Sequence, residues 1–220
     1  MSNRYRDQKG RYTTSPARRK LELVEELYRA FDFFNKYFSN GELPNVVITV
    51  QEAGRRQAYG WFGSSFWRDK TTQDSVPEIN ISAEYLSRGH EGVLETLLHE
   101  MSHLHNYIND IRDCSSGQYH NKKFKVAAEK FGLVVEKTHN KGWAYTTLSD
   151  VSRRAIEEFN PNESLFKTLN RKRVKRNIDK KYISLIVNAS LEDLLKQTVE
   201  RKKLSQREVV EAALVNYCNL

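Results

Sequence analysis

Cysteine is nearly absent from this chain. Its 220 residues include two, Cys114 and Cys218, far apart and in no CxxC pair. That excludes a zinc ribbon and a disulfide framework and leads us to expect reduced thiols in a cytoplasmic protein. With four prolines and ten glycines, the chain is no low-complexity polymer. No uninterrupted apolar run approaches the roughly 18 residues of a membrane span, so no membrane association is expected. The polar N-terminus lacks the apolar stretch of a secretory signal. Aromatics make up 11% of the residues, ample for a core. The length suits one large domain, or an ordinary domain with a small one.

The formal net charge of +8 is unevenly placed. Residues 1–20 carry Arg4, Arg6, Lys9, Arg11, Arg18, Arg19 and Lys20 against Asp7 alone. A second basic run holds Lys167, Arg171, Lys172, Arg173, Lys175, Arg176, Lys180 and Lys181 against Asp179. Outside these arms the chain is mildly acidic. Two basic arms on an acidic body attract phosphate backbones without sequence preference, and DNA is the expected partner.

Residues 1–15 read as a disordered basic arm. Apolar residues at Leu21, Val24, Tyr28, Phe31, Phe34 and Phe38 predict a helix from Pro16 to Phe38, stopped by Ser39-Asn40-Gly41. Strands are predicted over 46–50, 58–62 and 78–82, with a loop over 64–75. A buried helix follows over 91–107 and a loop over 108–119. A third helix from about His120 ends at Gly132. Short strands at 133–136 and 144–148 and a helix at 150–159 complete an α+β domain over 16–159. Asn160-Pro161-Asn162 opens a basic linker over 160–181, and 182–220 form a small C-terminal module.

The sharpest pattern is His99-Glu100-Met101-Ser102-His103. Histidines at i and i+4 leave one helix face a turn apart, so both imidazoles can bind one metal. Glu100 then lies beside a metal-bound water and can take its proton. A catalytic zinc needs a third protein ligand and one open position. Asn109 occupies the place where a metzincin continuation has histidine. His105 points away from the pair, and His90 precedes the helix. His120, Glu129 and His139 are the candidates. Tyr145 and Tyr119 are candidates for stabilising an oxyanion. Tyr59, Trp61, Phe66 and Trp67 could line a cleft, although core packing is the usual fate of such residues.

Four segments carry a resemblance. They are Tyr59-Gly60-Trp61-Phe62, Pro77-Glu78-Ile79-Asn80-Ile81-Ser82, Leu97 through His103, and His120-Asn121-Lys122-Lys123-Phe124. Residues 16–149 resemble the SprT-like zinc metallopeptidases, the Spartan-related family that includes a DNA–protein crosslink protease. The resemblance implies a zincin-like fold, an active-site helix packed on a small sheet. It implies Zn2+ held by His99, His103 and His120, with Glu100 as the base of peptide hydrolysis. Many relatives carry a cysteine zinc ribbon after the protease core. This chain has no cysteines for one, so DNA binding by that route does not carry over.

The C-terminal module alternates at Ile183, Leu185 and Val187, then shows two capping boxes, Ser190-Leu191-Glu192-Asp193 and Ser205-Gln206-Arg207-Glu208. Strand, helix, turn and helix in that order resemble the ribbon–helix–helix DNA-binding proteins. The resemblance implies a homodimer whose paired strands enter the major groove, with Tyr182, Ser184 and Ile186 facing DNA. The apolar Ile186 departs from the polar residue usual there.

Three functions follow. The first is a zinc protease that hydrolyses proteins on or near DNA, nucleoid-associated when bound. The second is a protease dedicated to one regulatory protein of a mobile element. The third is a non-catalytic DNA-binding regulator; the intact Glu100 argues against it, since metal binding alone does not require that carboxylate.

Overall fold

Ser15 opens the first long helix by accepting the amide of Arg18 on its hydroxyl at 3.2 Å, with Pro16 in the first turn. In the computed structural model this helix, α1, spans Pro16–Ser39 and ends at Asn40 in the left-handed conformation. Leu23, Leu27, Ala30, Phe31 and Phe34 form its buried stripe. Residues 4–6, 12–53, 57–172 and 189–218 are described. They fall into two units, Met1–Arg173 and Val174–Leu220. Among the described residues no helix is long and apolar enough to cross a membrane.

Ahead of α1, β1 (Arg4–Arg6) and β2 (Tyr12–Thr14) pair antiparallel, where the sequence reading expects a disordered arm. After α1 come β3 (Val47–Gln51), β4 (Gly60–Arg68) and β5 (Ser75–Ser82). They form a sheet in the order β3-β5-β4, parallel between β3 and β5 and antiparallel between β4 and β5. The predicted loop from residue 64 is therefore shorter. β4 continues past a register shift between Gly63 and Trp67, opposite Pro77, whose ring nitrogen cannot donate to the ladder. Two serines and this bulge hide the period-2 pattern that would have marked the strand.

A 3-10 turn over Ala83–Arg88 leads into α2, Gly89–Ile108. Leu94, Leu97, Leu98, Met101 and Leu104 are fully buried along it. After α2 come β6 (Cys114–Ser115), β7 (Tyr119–His120), α3 (Lys122–Lys130), β8 (Leu133–Thr138) and β9 (Gly142–Leu148). Their strands form a second sheet, ordered β6-β7-β9-β8. α2 packs on α1, on β4 and β5, and on α3, β8 and β9. α4 (Asp150–Phe159) starts at a Ser149 cap and ends at left-handed Asn160.

The expected linker does not begin at 160. α5, Glu163–Lys167, packs against α1 and α2 and buries Phe166 completely. The backbone amide of Asn162 bonds to Glu26 at 2.8 Å, and that of Arg171 to the Ala83 carbonyl at 2.9 Å. Leu165, Phe166 and Leu169 in a polar stretch form too short a pattern to read as a helix. In the second unit, α6 (Ala189–Lys202) and α7 (Gln206–Cys218) pack on each other. The second capping box is formed: Glu208 accepts the Ser205 amide at 2.7 Å, and Ser205 Oγ accepts that of Glu208 at 3.3 Å. The expected strand at 182–187 lies outside the described residues.

Two stability outcomes follow. Phe166→Ala should destabilise the first unit by about 3–5 kcal/mol, read as a drop in its urea midpoint; no change would return residues 160–172 to a linker. Burial works to raise the Glu26 carboxyl, but the Arg29 guanidinium (2.7 and 2.9 Å) and the Asn162 amide outweigh it and hold its pKa below the usual 4.5. A depressed carboxylate contributes stability above its unfolded pKa and loses it as pH falls through the folded value. The urea midpoint of the wild type should therefore fall more steeply below pH 4.5 than that of Glu26→Gln.

Candidate metal centre and cleft

His99 and His103 leave α2 one turn apart, and β7 brings His120 to them. One nitrogen from each ring lies within 4.8 Å of the others. His120 stands in β7 rather than at the start of α3. The side chain of Asn121 caps α3 by accepting the amides of Lys123 (2.7 Å) and Phe124 (3.4 Å), which places the histidine just before the helix. The other candidates for a third ligand lie elsewhere: Glu129 is exposed beside Lys125, and His139 is exposed against Asn140. Phe124 packs beneath all three rings, with centroids 4.5–4.6 Å away.

Each ring is fixed from outside through Nδ1. His103 Nδ1 donates to Asp113 Oδ2 at 2.7 Å, and His120 Nδ1 to the Gln118 carbonyl at 3.1 Å. His99 Nδ1 lies 3.2 Å from Thr146 Oγ1, whose own proton goes to Glu95 Oε1 at 2.9 Å, so the threonine accepts from the histidine. The Arg88 guanidinium holds the other oxygen of Glu95 at 2.8 Å. With Nδ1 protonated on every ring, each Nε2 presents a lone pair. Those of His103 and His120 face each other at 3.1 Å.

This arrangement fits a metal ion. Two lone pairs at that distance repel unless a cation lies between them. Tetrahedral zinc with bonds of 2.0–2.1 Å separates neighbouring nitrogens by about 3.3 Å, close to what is seen. Burial, and then the charges of the neighbouring rings, hold His99 well below its usual pKa; burial, then His103, pulls His120 down to about 4. Both are neutral, ligand-ready imidazoles at pH 7.

Glu100 faces the same space from the buried side of α2. Burial pushes its carboxyl up to about 7. Gly60 makes room for it: a Cβ there would stand 3.1 Å from Glu100 Oε1 and 2.7 Å from both the Asn80 carbonyl and the Thr96 methyl. Burial also works to raise Asp113, yet hydrogen bonds from His103 and Asn106 win and hold it low. Cys114 is pushed up to about 12, by burial first and then by Asp113. These groups line a cleft of about 980 Å³, together with Tyr59, Trp61, Phe66, Arg88, Lys141 and Tyr145. Tyr145, at 53% exposure, is the oxyanion candidate that the cleft includes; the Tyr119 ring rests against Gly142.

Asp113, Thr146 and Glu95 were not found by reading the sequence. The signal available was indirect: a ligating histidine usually gives its second nitrogen to an acid or carbonyl, and Asp113 lies in the polar loop between two of the histidines. The expected DNA contacts fare differently. The Arg171 guanidinium lies half-exposed, 3.0 Å from Glu52 and 3.7 Å from Glu84 of the first unit. Lys172 is exposed. Arg173, Lys175, Arg176, Lys180, Lys181, Tyr182 and Ser184 lie outside the described residues.

Fold and centre together define a mixed α/β domain built around a three-histidine site with an adjacent glutamate. A model of the SprT-like family matches residues 27–143, more than half of the chain, and the chain belongs to that family. Membership makes the matched segment a metallopeptidase-like domain. It spans Glu100, the three histidines and Asp113 and stops short of Tyr145 and Thr146. No curated protein and no solved structure matches the chain.

Asp113→Asn should weaken Zn2+ binding by roughly 10- to 100-fold, measured in chelator-buffered zinc with circular dichroism as the control for folding. Unchanged affinity would remove Asp113 from the centre.

Proposed function

We infer that the protein is a zinc-dependent metallopeptidase of zincin-like fold that hydrolyses proteins on or near DNA. The observation that carries the catalytic part is the convergence of three Nδ1-anchored imidazoles beside buried Glu100 at the floor of a cleft. His99, His103 and His120 would hold zinc, which supplies Lewis acidity toward a peptide carbonyl and an attacking water. The residues do the rest. Asp113, Thr146 and the Gln118 carbonyl keep the rings aimed. Glu100 accepts a proton from the attacking water at its carboxylate and passes it to the leaving amine. Its raised pKa suits a group that must both take and give a proton near neutrality, and the charge of a bound cation would draw it back toward the carboxylate form. Tyr145 reaches the cleft as a phenolic donor for developing negative charge.

The DNA part rests on charge. The basic residues concentrate in the N-terminal arm and in the run that leads out of the first unit, which suits backbone attraction near a nucleoid. The ribbon–helix–helix reading of the second unit gains support from its apolar surface. None of the described side chains of α6 and α7 is buried, and Leu191, Leu194, Leu214 and Val215 are 46–57% exposed. A hairpin of that size gains a core by pairing with a second copy, which favours a homodimer. The reading of a protease dedicated to one regulatory protein shares the same catalytic centre and differs in needing no DNA for turnover.

The test is proteolysis of a DNA-binding substrate by the full chain with and without DNA. Glu100→Gln should keep one zinc per chain and lose roughly 10²- to 10⁴-fold in turnover. Stimulation by DNA that fades steeply with added salt supports the tethered protease. Cleavage indifferent to DNA supports the dedicated one, and zinc-loaded wild type with no cleavage of any substrate rejects both.

A further inference from the structure

The β4 wall of the cleft is a row of aromatic rings that the core does not use. Tyr59 is 50% exposed and Phe66 66% exposed, with Trp61 half-buried between them. All three line the same cleft as Glu100 and the histidines. Leaving this much aromatic surface to water is costly unless something covers it.

The rings are nevertheless fixed. Tyr59 lies over the Arg88 guanidinium, 3.9 Å from its ring centroid, with Tyr85 edge-on at 4.7 Å. Arg88 is itself tied to Glu95 and Thr96 on α2, each at 2.8 Å. Phe66 sits in the β4 bulge, edge-on to Trp61 at 5.5 Å. Gly63 provides its seat: a Cβ there would stand 2.5 Å from the Phe66 ring. The far side of the bulge is pinned by Trp67, whose indole N–H donates to buried Glu78 at 2.7 Å. Thr49 and Gln51 hold the other oxygen of that carboxylate at 2.5 and 3.1 Å.

We propose that Tyr59, Trp61 and Phe66 form a preorganised ledge that binds a large apolar side chain of the substrate polypeptide, and that this ledge sets the enzyme's sequence preference. Glu78 is a positioning residue, acting through Trp67 on the bulge. Rigid, exposed aromatics bind apolar groups at little entropic cost. A stacked nucleic-acid base is the other occupant such rings accept. The surroundings favour a polypeptide. Of the cations lining the cleft, Arg88 is already engaged by Glu95 and Lys141 by the Gly117 carbonyl, which leaves little side-chain positive charge for a phosphate backbone beside the ledge.

This deepens the peptidase reading, but its test does not depend on turnover. Zinc-loaded full-length Glu100→Gln protein is titrated with fluorescent ten-residue peptides that differ only in a central Phe, Ala or Lys. The Phe peptide should bind at least tenfold more tightly than the Ala and Lys peptides. Adding Phe66→Ala, a change at an exposed ring that leaves zinc content and melting temperature intact, should erase most of that difference. Glu78→Gln should weaken the Phe peptide selectively while retaining zinc. Equal binding of the three peptides, or a preference that survives Phe66→Ala, overturns the proposal. So does an oligo(dT) strand whose affinity depends on Phe66 while that of the Phe peptide does not. If the ledge binds as expected and wild-type enzyme still cleaves nothing, the peptidase reading fails and the ledge stands.

Discussion

Two nitrogen lone pairs aimed at each other across 3.1 Å are the constraint around which the first unit is organised. Neutral imidazoles do not choose such an approach. It is imposed from outside, because each Nδ1 is committed to an acceptor that comes from a different part of the chain. Asp113 lies in the loop after α2, the Gln118 carbonyl just before β7, and Thr146 on β9. To satisfy all three, the second sheet must sit against α2 in one register. A buried polar arrangement of this kind fixes geometry more than it adds stability, and here the geometry leaves one place where positive charge is welcome.

The helix that carries this centre was legible because its chemistry is local. His99, Glu100 and His103 lie within one turn and a half of α2, so spacing alone puts them together. The buried stripes of α1 and α2 were legible for the same reason. What escaped was held by distance in sequence. Thr146 is 47 residues from His99, and nothing about an isolated threonine in a strand announces a partner on a helix. His120 was a candidate from its place ahead of the next helix, and the resemblance of its motif strengthened it. The bulge in β4 disguised half a strand as a loop, and the ordinary expectation that aromatics are core misplaced Tyr59, Phe66 and Trp67. Arg171 lies in a basic run, and its pairing with Glu52 and Glu84 could not be read from that run.

The boundary between the units follows from the same balance. Residues 160–172 are polar enough to read as a tether, but Phe166 and the bonds made by Asn162 and Arg171 secure them to the core. Arg171 reaches Glu84, which also accepts the amide of Ala53 at the rim of the cleft. Residues 171 and 172 of the first unit therefore lie near the rim of that cleft.

No side chain of the segment from Asp113 to His120 is fully buried among its described residues; most are half-buried or exposed. Its attachment to α2 runs through His103, Asn106 and His120 rather than through an apolar interface. An ion bound at the centre adds its binding free energy to the closure of that segment. The ambient level of free metal is then a thermodynamic coordinate for one wall of the cleft. Loss of the ion would remove that contribution from this wall before it touched the α1–α2 core, whose closure rests on apolar packing. Scarcity of the ion would silence such a protein reversibly, and resupply would restore it without a full refolding cycle.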